Sequence, residues 1–389
     1  MKEPKIRFNE FKGEWNSSAI GDIATFSKGR GYSKSDLKAK GNPIILYGRM
    51  YTDYSFVIDS VETYATLQKG SVLSDGNEVV IPASGETPED IAVASAVTMK
   101  NVILGGDLNI LKFDKNKILS TFAAMQISCG RTRKELSNFA QGKTVVHLHN
   151  SNISKGHFCY PPIAEQHSIA SFFTTLDAQI SASTSRLASL KQIKAASLQA
   201  MFPQEGETVP KLRFKGFEGE WEKVKLGEIC TIKKGTQINK SELSSTGNYY
   251  VLNGGIDASG YINVYNTEKD TISISEGGNS CGFVNFNIER FWSGGHNYTL
   301  QNVSINNRYL FAFLKFREED IMNKRVGSGL PNIQKNALEN FNILFPVNKA
   351  EQLAIASFFT NLDRQITLQS QRLEKLKQIK AACLDKMFV

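Results

Sequence analysis

The residues that could do chemistry are few and poorly grouped. Five histidines stand at His147, His149, His157, His167 and His296, and only HLH at 147–149 sets two imidazoles at a useful spacing. On a strand, residues i and i+2 share a face, so both rings could reach one metal ion. No cysteine or carboxylate of suitable spacing completes the set, which reads as solvated or core histidine. The cysteines Cys129, Cys159, Cys230, Cys281 and Cys383 are scattered, odd in number and without a CxxC pair. That excludes a disulfide framework and a cysteine-rich zinc site, and it suits a reducing cytoplasm. Gly29-Arg30-Gly31 lacks the third glycine of a dinucleotide loop, and there is no GxxxxGK[ST] phosphate loop.

One motif is a close miss. Tyr160-Pro161-Pro162-Ile163 has the two prolines of DNA amino-methyltransferases, which carry Asp or Asn before them and an aromatic after. Tyr160 replaces the hydrogen-bond acceptor and Ile163 the stacking ring, so both chemical positions fail. The prolines read instead as the entry to a helix. The chain thus reads as non-catalytic, with neither a Walker-type nor a dinucleotide site. A net charge of +8 favours a polyanionic partner. No run of about 18 apolar residues exists to span a membrane, and MKEPKIRFNEF lacks the apolar core of a secretory signal. A cytoplasmic protein is expected.

The elements that must position any site are written twice. PKIRFNEFKGEW (4–15) returns as PKLRFKGFEGEW (210–221), with eight of twelve positions identical. The match continues through Ile20-Gly21-Asp22-Ile23 and Leu226-Gly227-Glu228-Ile229 to Lys28-Gly29 and Lys234-Gly235, then fades. It resumes at another offset: residues 164–202 align without a gap on 350–388, 25 of 39 being identical. Each copy therefore has a shared start, a divergent middle and a shared end, and the first middle is about 20 residues the longer.

The shared end reads as a helix, entered after Pro161-Pro162 or Pro346 and uninterrupted by Gly or Pro. Phe173, Leu176, Ile180, Leu187, Leu190 and Ile193 form an apolar stripe, matched by Phe359, Leu362, Ile366, Leu373, Leu376 and Ile379 and broken at Ser183 and Gln369. Such a narrow stripe is a coiled-coil seam, and the other copy's helix is the nearest partner. About 38 residues give a helix of roughly 57 Å. The middles alternate short strand signals with Gly and Asn turns, and STFAAMQISC and RYLFAFLKFREEDIMNK read as short amphipathic helices. The expected fold is α+β: mixed globules at 1–160 and 207–346, a helix with linker at 161–206 and a second helix at 347–389.

AEQxxIASFFTxLDxQI at 164–180 and 350–366, RLxxLKQIKAAxLxxMF at 186–202 and 372–388, and the [IL]RFxxFxGEW starts resemble the specificity subunit of Type I restriction–modification systems. The resemblance covers essentially the whole chain. It implies two target recognition domains, each reading one half of a bipartite, asymmetric duplex DNA target. It implies an antiparallel helix pair that sets the spacer. Two methyltransferase subunits would dock there and methylate adenine N6 with their own S-adenosylmethionine, and this subunit itself would bind no cofactor. Two endonuclease subunits, using ATP and magnesium, can join. The repeat agrees, because two copies in one chain offer constant surface to two identical partners and variable surface to DNA. Two other readings fit the residues: a scaffold that binds protein rather than DNA, and a coiled-coil enzyme with an unrecognised site.

For DNA contact the candidates are polar residues on Gly-rich loops, because loops on a rigid scaffold carry recognition. In the first middle these are Arg30, Tyr32, Lys34, Tyr47, Arg49, Tyr51, Arg131, Arg133, Lys143 and Thr144. In the second they are Lys234, Thr236, Gln237, Asn253, Asn279, His296, Asn297, Lys324, Arg325, Ser328 and Lys335. GRTRKE (130–135) and NKRVGSG (323–329) are read as the foremost basic loops. Lys191, Lys194, Lys375, Lys377 and Lys380 could also meet phosphate, but read better as a solvated or partner face. Phe172 and Phe358 cannot face the helical seam with their neighbours and are assigned to the recognition domain or to a methyltransferase.

Overall fold

The computed structural model describes residues 3–142, 144–327, 329 and 331–389. The chain forms two compact units, Met1–Thr184 with Arg372–Val389, and Ser185–Gln371. Each unit takes its globule from one copy of the repeat and a stretch of long helix from the other.

In the first unit the central sheet runs Ala24–Lys28, Leu108–Phe113, Glu78–Pro82, Ser95–Val97, Val57–Ile58. A second sheet runs Leu37–Lys38, Tyr64–Ala65, Asn42–Ile45, Lys100–Leu104, Leu73–Asp75. Asn16–Ala19 pairs antiparallel with His157–Tyr160 beside the start of the long helix Ile163–Met201. The second unit repeats this with fewer strands. Its sheets run Thr231–Lys234, Asn297–Gln301, Thr271–Ser275, Val284–Asn287 and Gly260–Ile262, Tyr249–Leu252, Trp292–Ser293. Glu222–Lys225 pairs with Asn342–Phe345 ahead of the helix Lys349–Lys386. The parallel pairings Ile103↔Ile44 and Val251↔Trp292 correspond. So do the capping boxes Ser33 to Asp36 and Asn239 to Glu242, which carry the first repeat offset beyond the point where identity fades.

The duplicated opening stretch clamps the long helix that follows its own globule. Glu165, in the first turn of the first helix, has no solvent exposure, and Arg7 holds it through two bonds of 2.7 and 2.8 Å. Arg213 holds Glu351 at the same two distances. Phe8 meets Phe172 edge-on at 6.1 Å and Phe214 meets Phe358 at 6.3 Å. Both phenylalanines of the helix are half-buried, so part of each packs within its own unit. The next residue, glutamine, fastens the helix to its globule. Gln166 Oε1 accepts from the Leu119 amide while its Nε2 donates to the Lys117 and Pro161 carbonyls. Gln352 bonds the Asn306 amide and the Pro346 carbonyl. Pro161 and Pro346 thus serve the helix entries.

The far end of each helix closes the other unit's core. Phe388 packs at 5.7 Å from Phe173 and 6.1 Å from Phe122. Phe202 does the same with Phe359 and Phe313, both at 5.7 Å. The Ile6 amide bonds the Lys386 carbonyl, and the Leu212 amide bonds that of Ala200. In both units the start of one helix meets the end of the other, so the helices pair antiparallel.

Three sequence expectations need correction. Ile193 and Ile379 leave the seam, being 51% and 39% exposed. The spacing is four, not three, after Leu190 and Leu376, which puts Lys194 and Lys380 in phase. Lys194 pairs with Asp363 and Lys380 with Asp177, each at 2.5 Å, so these two lysines are committed to carboxylates. Lys191, Lys375 and Lys377 stay exposed. GRTRKE is no loop but opens the helix Gly130–Phe139. The helix Ser120–Ile127 is buried on nearly every residue rather than amphipathic, whereas Asn307–Phe316 is amphipathic as expected. Among the described residues, no helix is long and apolar enough to cross a membrane.

Removing one partner of a buried ion pair strands the other charge. Arg7→Ala and Arg213→Ala should each cost about 3–5 kcal/mol in urea unfolding. Arg7→Lys should recover only part of it, because an ammonium cannot make the bidentate contact.

Candidate nucleic-acid interface

A turn with two glycines organises the loop end of each unit. In the first, the Gly105 amide bonds the Ile45 carbonyl at 2.9 Å, and the Ala83 amide bonds that of Asp107 at 2.7 Å. The Gly29 and Arg30 amides bond the Leu108 and Leu104 carbonyls at 2.9 and 3.1 Å. In the second unit, Gly294 bonds Leu252 at 2.7 Å and Glu276 bonds His296 at 2.9 Å. Gly235 and Thr236 bond Asn297 and Ser293, both at 2.8 Å. Four backbone bonds are thus reproduced around different side chains: Arg30 stands where Thr236 does, Leu46 where Asn253 does, and Asp107 where His296 does. Glycine is required at the crossing. A Cβ on Gly29 would lie 1.8 Å from the Gly105 carbonyl oxygen, and one on Gly235 would lie 2.1 Å from that of Gly294.

In the first unit this turn borders an open cleft of about 1450 Å³. Tyr32, Lys34, Tyr47, Arg49, Tyr51 and Arg133, all singled out from sequence, line it together. Tyr32 adopts φ 62°, and its hydroxyl reaches Ser71 Oγ at 2.6 Å and accepts from the Gln68 amide, which anchors the neighbouring loop. Tyr47 and Tyr51 stand edge-to-face at 6.4 Å, and Tyr51 donates to the Ser84 carbonyl. Arg49 bonds Asp53 at 3.0 Å, with its Nε buried and unpartnered. Arg133 donates to the Glu89 carbonyl. Asp53, Glu62, Glu86, Asp90 and Asp107 make the same cleft partly acidic. Arg30 and Thr144 are exposed but do not line it, and Arg131 points elsewhere, paired with Glu135 at 2.6 Å. Lys143 lies outside the described residues.

In the second unit, Lys234, Thr236, Gln237, Asn253, His296 and Asn297 gather round the turn. Asn253 Oδ1 accepts from the His296 amide at 3.2 Å, and Asn297 donates to Ser293 Oγ from a buried position. Glu276 accepts from Lys234 at 2.6 Å and from the Tyr298 hydroxyl at 3.0 Å, and lies 3.7 Å from the His296 ring. Asn279 is exposed in the next turn, whose Ser280 hydroxyl donates to the Gly254 carbonyl. Lys324 and Arg325 are exposed just before the Val326↔Asn332 bridge. Lys335 begins a short helix and pairs with Glu339 at 3.4 Å. Ser328 lies outside the described residues. Sequence reasoning missed Asp107 and the turn itself. The signal was GGDLN at 105–109 against GGHNY at 294–298, a third repeat offset hidden by unlike neighbours.

The other chemical candidates go to structure. His147 and His149 stack at 6.3 Å, and His147 Nδ1 bonds Ser84 Oγ at 3.1 Å. Among the described residues, no three His, Cys, Asp or Glu side chains are grouped to hold a metal. Burial pushes the Cys129 and Cys230 thiols up to about 12, which makes them poor nucleophiles near neutral pH.

The family model of the Type I restriction modification DNA specificity domain matches twice, over residues 12–192 and 218–378. A protein of Mycoplasma pneumoniae named as a type I specificity subunit is 31% identical over 182 residues, which is 46% of this chain and 48% of the relative. A namesake from Mycoplasma genitalium is 30% identical over 182 residues, 46% of this chain and 47% of its own length. The chain thus spans about half the length of the curated relatives it matches. The crystal structure of the Type I restriction–modification system S subunit from M. genitalium superposes with a TM-score of 0.70 at 19% identity, covering 100% of this chain and 99% of that one. That likeness is one of fold.

The glycine crossing generates a test. Gly29→Ala and Gly235→Ala should each destabilise their unit by roughly 1–3 kcal/mol or more, because backbone must move. Gly48→Ala, with open space at its Cβ, should stay within about 0.5 kcal/mol of the parent. Denaturant midpoints decide.

Proposed function

The chain belongs to the family of Type I restriction modification DNA specificity domains, and on that premise we propose that it is the sequence-reading subunit of such a system. It binds duplex DNA and has no catalytic group of its own. The observation that supports this reading is one backbone frame, built twice, that presents unlike side chains at equivalent positions. Each unit then reads one half of a bipartite target, and because the two sets of side chains differ, the half-sites are unrelated sequences. In the first unit the cleft cations Lys34, Arg49 and Arg133 offset phosphate charge, and the tyrosines pack against the backbone. In the second, the residues around the Gly294-Gly295 turn read bases, with Lys324, Arg325 and Lys335 on phosphate.

The long helices set the spacer and carry two methyltransferase subunits, with the open edges of Phe172 and Phe358 among their contacts. S-adenosylmethionine belongs to those partners, and ATP with magnesium to any endonuclease subunits that join. The chain works in the cytoplasm, alongside the DNA.

Division of labour is tested by methylation sequencing of the assembled complex over degenerate half-sites. Gln237→Ala with Asn253→Ala, at the turn that reads bases, should relax only the half-site read by the second unit, whereas Arg49→Ala with Arg133→Ala and Lys324→Ala with Arg325→Ala, on phosphate, should relax neither. For phosphate contacts, affinity falls evenly across sequences and the salt slope shrinks by roughly one per contact. Relaxed bases in both half-sites from one double variant would refute the assignment.

The spacer has its own test. Seven residues inserted after Ser183, and seven after Gln369, keep the apolar seam in phase. At 1.5 Å per residue they add about 10.5 Å, roughly three base pairs. The gap between the half-sites should lengthen by that amount while both half-sites keep their sequences. An altered half-site with the old gap would sink the idea.

A further inference from the structure

The double-glycine turn lifts one side chain out of otherwise buried backbone. From Trp292 to Leu300, His296 is the one exposed residue; from Val102 to Ile110, it is Asp107. The two occupy the same place in the frame, since the carbonyl of each accepts the equivalent amide, from Ala83 or from Glu276. They differ in what they offer. An ionised carboxylate only accepts hydrogen bonds, whereas an imidazole can donate. Asp107 lies in the cleft of the first unit and, among the described residues, its carboxylate has neither an ion pair nor a hydrogen bond. A carboxylate facing a phosphate backbone is repelled, so it is out of place in a DNA-binding cleft unless it meets a donor. The base edges supply one, and the usual fit for Asp is the exocyclic amine of cytosine.

Resting on the DNA-reading function above, we propose that this position determines specificity in both units. Asp107 accepts a hydrogen bond from the N4 amine of a cytosine in the first half-site. His296 donates to the acceptor edge of a guanine in the second. The glycines before them bring the backbone close to the groove, and Lys34, Arg49 and Arg133 balance the phosphate charge round Asp107.

A merely structural role for Asp107 is separable from reading. Its φ is 57°, the left-handed region that Asp and Asn both tolerate. Asp107→Asn therefore keeps turn and size while adding a donor, and Asp107→Gly keeps the turn and removes the side chain. The full-length chain and both variants are used to select from a randomised duplex library, with thermal melting as the control for folding. His296→Asn is carried alongside for the second half-site. The expected result is that the parent selects cytosine at one position of the first half-site. Asp107→Asn and Asp107→Gly reduce that preference about tenfold or more, at that position alone, and His296→Asn acts only in the other half-site. If folded variants select the parent's sequence unchanged, the specificity role is overturned while the DNA-reading function stands. If the parent itself selects no bipartite sequence, the function on which the proposal rests falls with it.

Discussion

A glutamate almost wholly shut from water sits in the first turn of each long helix, and that charge is tolerable only with a bidentate arginine against it. Most of the architecture follows from this. The arginine must come from a segment held beside the helix start, so the opening stretch has to lie there, and Phe8 or Phe214 follows onto the neighbouring ring. The same stretch then delivers Trp15 or Trp221 to its core, while its Ile6 or Leu212 amide reaches the end of the opposite helix. The twelve residues are written twice because two helix starts need the same clamp.

Above that clamp, backbone holds the frame and side chains are left free to differ. The crossing of Gly29 with Gly105, and of Gly235 with Gly294, is fixed by carbonyl contacts that leave no room for any Cβ. The ladder of amides round it makes no demand on the identity of residues 30 and 46, or of 236, 253 and 296, and at 107 asks only for a residue that tolerates a φ of 57°. Constancy and variation are thus assigned to different atoms of the same loops.

Legibility in the sequence followed the same division. The long helices and the α+β globules were readable, because apolar periodicity and a gap-free repeat report them directly, whereas the antiparallel pairing of the helices was an implication of the family resemblance alone. Ile193 and Ile379 misled because apolar residues three apart look like a seam, and only Lys194 and Lys380, meeting Asp363 and Asp177, reveal the true phase. Arg131 looked like a loop cation. Gly130, which suggests a turn, in fact starts a helix, and a Cβ there would crowd the Val389 carbonyl. The cleft of the first unit was half legible. Its tyrosines and arginines stood out as polar aromatics and cations near glycine, but Asp107 has the wrong charge for a search guided by phosphate.

The exchange of helix ends also dictates the order of events during synthesis. The first unit's core includes Met387 and Phe388, which leave the ribosome about two hundred residues after its globule. At 5–20 residues per second that is a delay of roughly 10–40 s, during which Phe122 and Phe173 face a gap. The second unit has no such wait, since Met201 and Phe202 emerge before the globule they complete. The nascent chain therefore carries one unfilled apolar socket until Met387 and Phe388 have emerged, and crowded polysomes would expose that socket to the same helix end on neighbouring nascent chains.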